Sequence, residues 1–113
     1  MNCIFCQIVA GEIPAGIIYK DEHVIAFHDL NPQAPTHILL IPRRHIATVN
    51  ELVENDIPII GHLFLAAREL AAKLGFANDG YRLVMNTNEA GGQTVFHIHL
   101  HLLAGRNLAW PPG

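Results

Sequence analysis

Two rhythms of apolar and polar residues run through the chain. The first lies near its end, where His97, His99 and His101 are separated by Ile98, Leu100 and Leu102. A period of two is that of a strand with one buried face. The spacing predicts three imidazoles on one side and three aliphatic chains on the other. Neighbouring rings would stand about 6.5–7 Å apart, twice the rise per residue. The apolar side can pack on a core. The histidine side has to line a cavity, hold a metal or meet a partner, because three clustered imidazoles repel once protonated.

The second rhythm covers residues 57–74. Ile60, Leu63, Phe64, Ala67, Leu70, Ala71 and Leu74 recur at i, i+3, i+4 and i+7, with Arg68, Glu69 and Lys73 on the other side. This is one long amphipathic helix. Asp56 is its candidate N-cap, Pro58 sits in the first turn, and Gly75 suits the C′ position. His62 on this helix reads as a surface or boundary residue.

Shorter patterns fill in the rest. Residues 3–10 suggest a short helix with Ile4, Phe5 and Ile8 on one face and Gly11 as terminator. Residues 17–19 and 23–29 read as a hairpin around the polar turn Lys20-Asp21-Glu22. Pro32 and Pro35 fix a loop, and residues 36–42 form a nearly all-apolar, central strand. Residues 80–86 are a further strand, 87–92 a long turn, and 104–113 an irregular tail. The fold class is therefore α+β, a single domain over 1–113. An antiparallel sheet of about five strands carries one long helix and a short N-terminal helix. The helix between the third and fourth strands makes a crossover, so the sheet need not be a plain meander.

Composition narrows the function. The 113 residues are 50% hydrophobic and 15% charged, with a net charge of −3, so the chain folds and is not an electrostatic nucleic-acid binder. No apolar run is long enough to span a bilayer, and the N-terminus lacks a secretory pattern, so a cytoplasmic location is expected. Both cysteines sit in Cys3-x-x-Cys6, which in such a chain suggests metal or redox chemistry before a disulfide.

The histidine face permits two chemistries. One is zinc, which takes neutral imidazoles. Cys3-x-x-Cys6 and His97-x-x-x-His101 have finger-like spacing at each end, but the gap between the pairs is far too long for a compact finger. The other is nucleophilic catalysis, since imidazole nitrogen is a recognised covalent nucleophile. Gly91-Gly92 allows close backbone approach to an anion, and Gln93 and Thr94 add neutral donors.

The run His97-Ile-His99-Leu-His101-Leu-Leu, with Gly91-Gly92-Gln93-Thr94-Val95, Asn31-Pro32-Gln33-Ala34-Pro35-Thr36-His37-Ile38 and Trp110-Pro111-Pro112-Gly113, resembles the histidine triad superfamily. Within it the likeness is to the nucleotide-binding protein branch. The likeness runs from about Ile4 to the last residue. It implies a purine nucleoside phosphoramidase that forms a nucleotidyl-histidine intermediate on His99 and then hydrolyses it. His101 would contact the phosphate and act as general acid for the leaving amine, with His37 beside them. Gln93 and Thr94 would hold the phosphate and leaving-group side, next to the backbone of Gly92 and Val95. Asn86 would bond near the phosphate, and Asp29 would accept both ribose hydroxyls. Phe5, Ile8, Ile13, Leu30 and Leu39 would form the slot for the base. Thr94 departs from the branch, where serine is common, but keeps the hydroxyl.

The resemblance also implies a homodimer in which the tail of one protomer reaches the other's site and Trp110 shapes the leaving-group pocket. It implies no catalytic metal. It does point to a possible structural zinc on Cys3, Cys6, His45 and His97, against which stand two ordinary thiols on a helix. Taken alone, Phe5, Ile8 and Leu39 could be plain core, Asp29 a turn residue and Asn86 a strand end. Two further functions remain: a purine-nucleotide-binding interaction module with little turnover, and a zinc-dependent hydrolase built on His97 and His99.

Overall fold

The structure, a computed structural model, describes residues 3–113. Helix α1 spans Ile4–Val9, followed by strands β1 Ile17–Lys20, β2 Val24–His28 and β3 Thr36–Pro42. Two short 3-10 turns lead into α2, Ile57–Leu74. Strand β4 is Arg82–Val84, α3 is Asn88–Gly91 and β5 is Leu100–Ala104. All pairings are antiparallel, in the order β1-β2-β3-β5-β4. The last strand is inserted between β3 and β4, which is how the α2 crossover departs from a meander. The architecture is α+β, with five strands, one long helix and the short N-terminal helix.

Alternation sorts the sheet's two faces. Val24, Ala26, Ile38, Leu40, Leu100 and Leu102 point to one side and meet Leu63, Ala66, Ala67 and Leu70 of α2. Ile25, Phe27, Leu39 and Ile41 point to the other, where Phe5 and Ile8 of α1 cover them. The helix face is rotated from the one its spacing suggested. Ala66 is buried, whereas Phe64 and Leu74 are about half exposed, at 46% and 50%. Ala66 and Ala67 are buried against the sheet together with Leu63 and Leu70, so the stripe that meets the sheet runs through these four positions and leaves Phe64 and Leu74 at its margin.

Other boundaries moved for local reasons. The strand predicted over the three histidines is shorter: only His101 lies in β5, and residues 95–99 run as irregular chain before it. The predicted turn at 87–92 contains the helical turn α3, and the strand at 80–86 shrinks to three residues at the sheet edge. His23 falls outside β2 because its N–H, with that of Val24, is taken by the Asp21 carboxylate at 2.7 and 2.8 Å. Asp56 precedes α2 but does not cap it with its side chain. Its carboxylate accepts the Val53 N–H at 2.9 Å and pairs with Arg44.

Leu63 is fully buried between α2 and the sheet. Leu63→Ala is expected to cost about 2–5 kcal/mol in urea unfolding, the range for removing a large core side chain. Phe64→Ala, one residue on and half exposed, should cost clearly less.

Candidate active site

The site lies on the face of the sheet away from α2, between α1, the end of β2 and the segment that leads into β5. A cavity of about 310 Å³ opens there, within the ~300–1,000 Å³ usual for small-molecule sites. Its wall combines an apolar slot of Phe5, Ile8, Ile13 and Leu39 with Asp29, Thr94, His99 and His101. Leu30 and Val95 also border it, and Leu30 is fully exposed at the rim. Phe27 lines it too and was missed in the sequence. It is the cross-strand partner of Leu39, so it shares that residue's face, and it meets Phe5 edge-on at 5.6 Å.

The histidines are held in distinct ways. His99 Nδ1 lies 2.8 Å from the His97 carbonyl. A carbonyl only accepts, so Nδ1 carries the hydrogen and Nε2 keeps a lone pair. His99 packs edge-on to Phe5 at 5.1 Å and to His101 at 5.0 Å. The two rings are closer than the strand spacing suggested, because they tilt toward each other by 60° and His99 is outside the ladder. His37, on β3, points the same way as Leu39 and places Nε2 2.9 Å from His101 Nδ1 and 3.4 Å from Asp29 Oδ2.

Burial makes these rings poor bases. His37 and His99 are pushed below the usual imidazole value by desolvation, with Asp29 opposing in both cases. His101 falls furthest, to about 4, through burial and then through His99 and His37 beside it. All three are neutral at pH 7. Asp29 is both a turn residue and a wall of the cavity: Oδ1 accepts the Asn31 N–H at 2.8 Å.

Not every expected residue reaches the cavity. Gln93 is buried and its side chain turns inward, accepting from Asn88 N–H at 2.9 Å and donating to the Ala47 and Val95 carbonyls at 2.7 and 3.1 Å. It shapes the Gly91–Val95 turn and has no hydrogen left to aim at a phosphate. Asn86 stands against Gly92, whose φ of +94° closes α3. Trp110 is 82% exposed and does not line the cavity, and Arg82 donates to the Leu108 and Ala109 carbonyls just before it.

His97 belongs to a different cluster. Its Nδ1 lies 3.5 Å from Cys3 Sγ, 3.6 Å from Cys6 Sγ and 3.2 Å from His45 Nδ1, and Cys6 Sγ is 3.4 Å from His45 Nδ1. All four donor atoms fall within 4.8 Å of one another. Four donors around a tetrahedral zinc at ordinary bond lengths stand roughly 3.3–3.8 Å apart. His97 Nε2 faces the Pro42 carbonyl at 2.8 Å, which leaves Nδ1 as a lone pair aimed at the sulfurs. The residues therefore fit a zinc ion in number, chemistry and spacing. None of the four lines the cavity.

The HIT domain model matches residues 10–108. An uncharacterised HIT-like protein of Synechococcus elongatus is 52% identical over 112 residues, covering 99% of this chain and 97% of that one. The purine nucleoside phosphoramidase of Escherichia coli is 51% identical over 105 residues, covering 93% and 88%. Among solved structures, a HIT family hydrolase from Legionella pneumophila superposes with a TM-score of 0.97 at 51% identity, covering 99% of this chain and all of that one. A histidine triad protein from Clostridium difficile gives 0.94 at 41%, covering 96% and 95%.

The depressed histidines make a stability prediction. In the unfolded chain these rings take a proton near pH 6.5, and in the metal-free fold they do so only at lower pH. The unfolded state thus binds more protons between about pH 6.5 and 4, so stability rises with pH in that window. Thermal unfolding of metal-free protein should show full stability above pH 7 and a steady loss from pH 6.5 down to 4. A melting temperature flat across that window would contradict the burial argument.

Proposed function

The chain belongs to the HIT domain family, and from that premise we propose that it is a hydrolase of purine nucleoside 5′-phosphoramidates working through a nucleotidyl-His99 intermediate. The observation that carries this reading is the His99 hydrogen bond to the His97 carbonyl, which leaves an unprotonated Nε2 on a ring at the cavity wall. Support also comes from the 51% identity to the phosphoramidase of Escherichia coli.

The slot of Phe5, Ile8, Ile13 and Leu39 takes the base, and Asp29 accepts the ribose hydroxyls. A planar base gains from burial against Phe5 and Leu39, and a carboxylate suits a diol. Thr94 and the backbone at Gly92 and Val95 face the phosphate. His99 Nε2 attacks phosphorus as the P–N bond opens. An amine departs only with a proton, and His101 is the group we assign to supply it. That ring is neutral in the free chain, and the phosphate's negative charge beside it raises its proton affinity. Water then cleaves the phosphohistidine and releases the nucleoside monophosphate.

Cys3, Cys6, His45 and His97 would hold a zinc ion. A closed Cys₂His₂ set is structural, so the ion would tie α1 to the end of β3 and to the turn before His99, and supply no step of the reaction. We further propose a homodimer. Trp110 is largely exposed and Phe64 and Leu65 of α2 are about half exposed, and a second copy packed over them would take that apolar surface out of water. In such a dimer Trp110 of one protomer reaches the leaving-group side of the other's cavity. Among the described residues no helix is long and apolar enough to cross a membrane.

The test is release of AMP from adenosine 5′-phosphoramidate. Wild type should turn over, and His99→Ala should lose at least about a thousandfold, as removal of a covalent nucleophile does. A chelator should leave turnover by the folded protein intact while lowering its melting temperature. Turnover lost with the metal in a protein still folded would favour a zinc hydrolase on His97 and His99. A folded, AMP-binding protein without turnover would be a binding module. Metal analysis should find one zinc per chain, falling to well below half in Cys6→Ala.

A further inference from the structure

We propose that Arg106, which lies outside the cavity, is a positioning residue: by gripping the Gln33 carbonyl it holds the Gln33 N–H against His37, and that amide decides which nitrogens of His37 and His101 carry hydrogen. The inference rests on the reading of His101 as the group that serves the leaving amine, and it deepens that reading.

The chain of bonds is continuous. The Gln33 N–H donates to His37 Nδ1 at 3.0 Å. A peptide N–H can only donate, so Nδ1 keeps its lone pair and neutral His37 carries its hydrogen on Nε2. That atom is 2.9 Å from His101 Nδ1, which therefore accepts. The hydrogen of neutral His101 is then on Nε2. The reverse order would put a hydrogen on His37 Nδ1, facing the Gln33 N–H, and would turn a lone pair of His101 toward an anionic phosphate. One peptide group thus sets two rings in series.

The same amide resists charging of the pair. Three protons on its four nitrogens either set two hydrogens against each other between the rings or put one on His37 Nδ1. The second arrangement costs the Gln33 bond. The titratable groups facing the pair are Asp29 from the end of β2, which favours the charge, and His99 from the segment before β5, which opposes it on His101. The pair stays neutral until a bound phosphate adds its negative charge.

Arg106 supplies the rigidity. Its Nε and Nη2 both donate to the Gln33 carbonyl, at 3.1 and 3.0 Å, a two-pronged grip that fixes orientation as well as distance. The Gln33 side chain bonds the Asn31 carbonyl at 3.0 Å. Gly105, at φ +96°, brings the end of β5 so near the loop that an added Cβ would lie 2.8 Å from Pro35 Cβ. The strand that carries His101 therefore also carries the clamp on the loop that orients it.

Nitrogen-15 NMR of the imidazoles in the free protein tests this without any substrate. Wild type should show His37 and His101 each with hydrogen on Nε2 and none on Nδ1. In Arg106→Ala, His37 should become a mixture of tautomers. Its kcat on adenosine 5′-phosphoramidate should fall about tenfold, the effect of one net hydrogen bond, with KM moving less than about threefold. Arg106→Lys, which keeps one donor, should recover part of both. Gln33→Pro deletes the N–H with Arg106 in place and should give the same ring signature as Arg106→Ala. Hydrogen on His37 Nδ1 in wild type, or unchanged tautomers in Arg106→Ala, would overturn the proposal. Altered tautomers with unchanged kcat would overturn its catalytic part. If the protein proves not to be a phosphoramidase, the ring spectra still decide the tautomer assignment.

Discussion

The site depends on one carbonyl being free. In a regular strand the His97 carbonyl would face a ladder partner and be spent on it. Here the chain enters the sheet only at Leu100, and the preceding residues hold on by other means, such as the Ile98 N–H bonding the Ile46 carbonyl at 2.8 Å. The His97 carbonyl can then take the Nδ1 hydrogen of His99 at 2.8 Å. Alternation still sends Ile98, Leu100 and Leu102 into the core against α2, so the histidines stay opposite. The broken strand keeps the sidedness of a sheet and gains an acceptor that a sheet would have used.

Burial does the second part of the work. His37, His97, His99 and His101 all hold protons less well than free imidazole because desolvation penalises their charged forms. Neutral rings are what both clusters need: a nucleophile must offer a lone pair, and a zinc ligand likewise. The two clusters share the turn at 97–99 yet face different ways, His97 toward the cysteines and His99 into the cavity. A metal at the first would stiffen the turn that carries the His99 acceptor.

Much of this was legible in the sequence, and the limits are physical. Period two placed His99 and His101 on one face, and period 3.6 found α2 within its observed bounds, because both patterns are imposed by the core. The family likeness brought Cys3, Cys6, His45 and His97 together, which no local rule could do across such separations. What the pattern could not show was where hydrogen bonds replace a ladder. The irregular run at 95–99 and the short α3 are set by Gln93, whose side chain bonds Asn88, Ala47 and Val95 from inside the turn. As a polar residue beside Gly91-Gly92 it reads as a phosphate donor, and only its burial shows that its hydrogens are spent. Arg106 gave no signal either, since an arginine after a strand looks like any solvated charge until its partner, a loop carbonyl far back in the chain, is known.

Mass spectrometry of protein quenched during turnover of adenosine 5′-phosphoramidate tests the covalent route through His99 directly. One adenylyl group is expected on the peptide that contains His99, labile to acid as a phosphoramidate is, and absent from His99→Ala. Turnover with no adduct at any quench time, or an adduct that persists in His99→Ala, would contradict it.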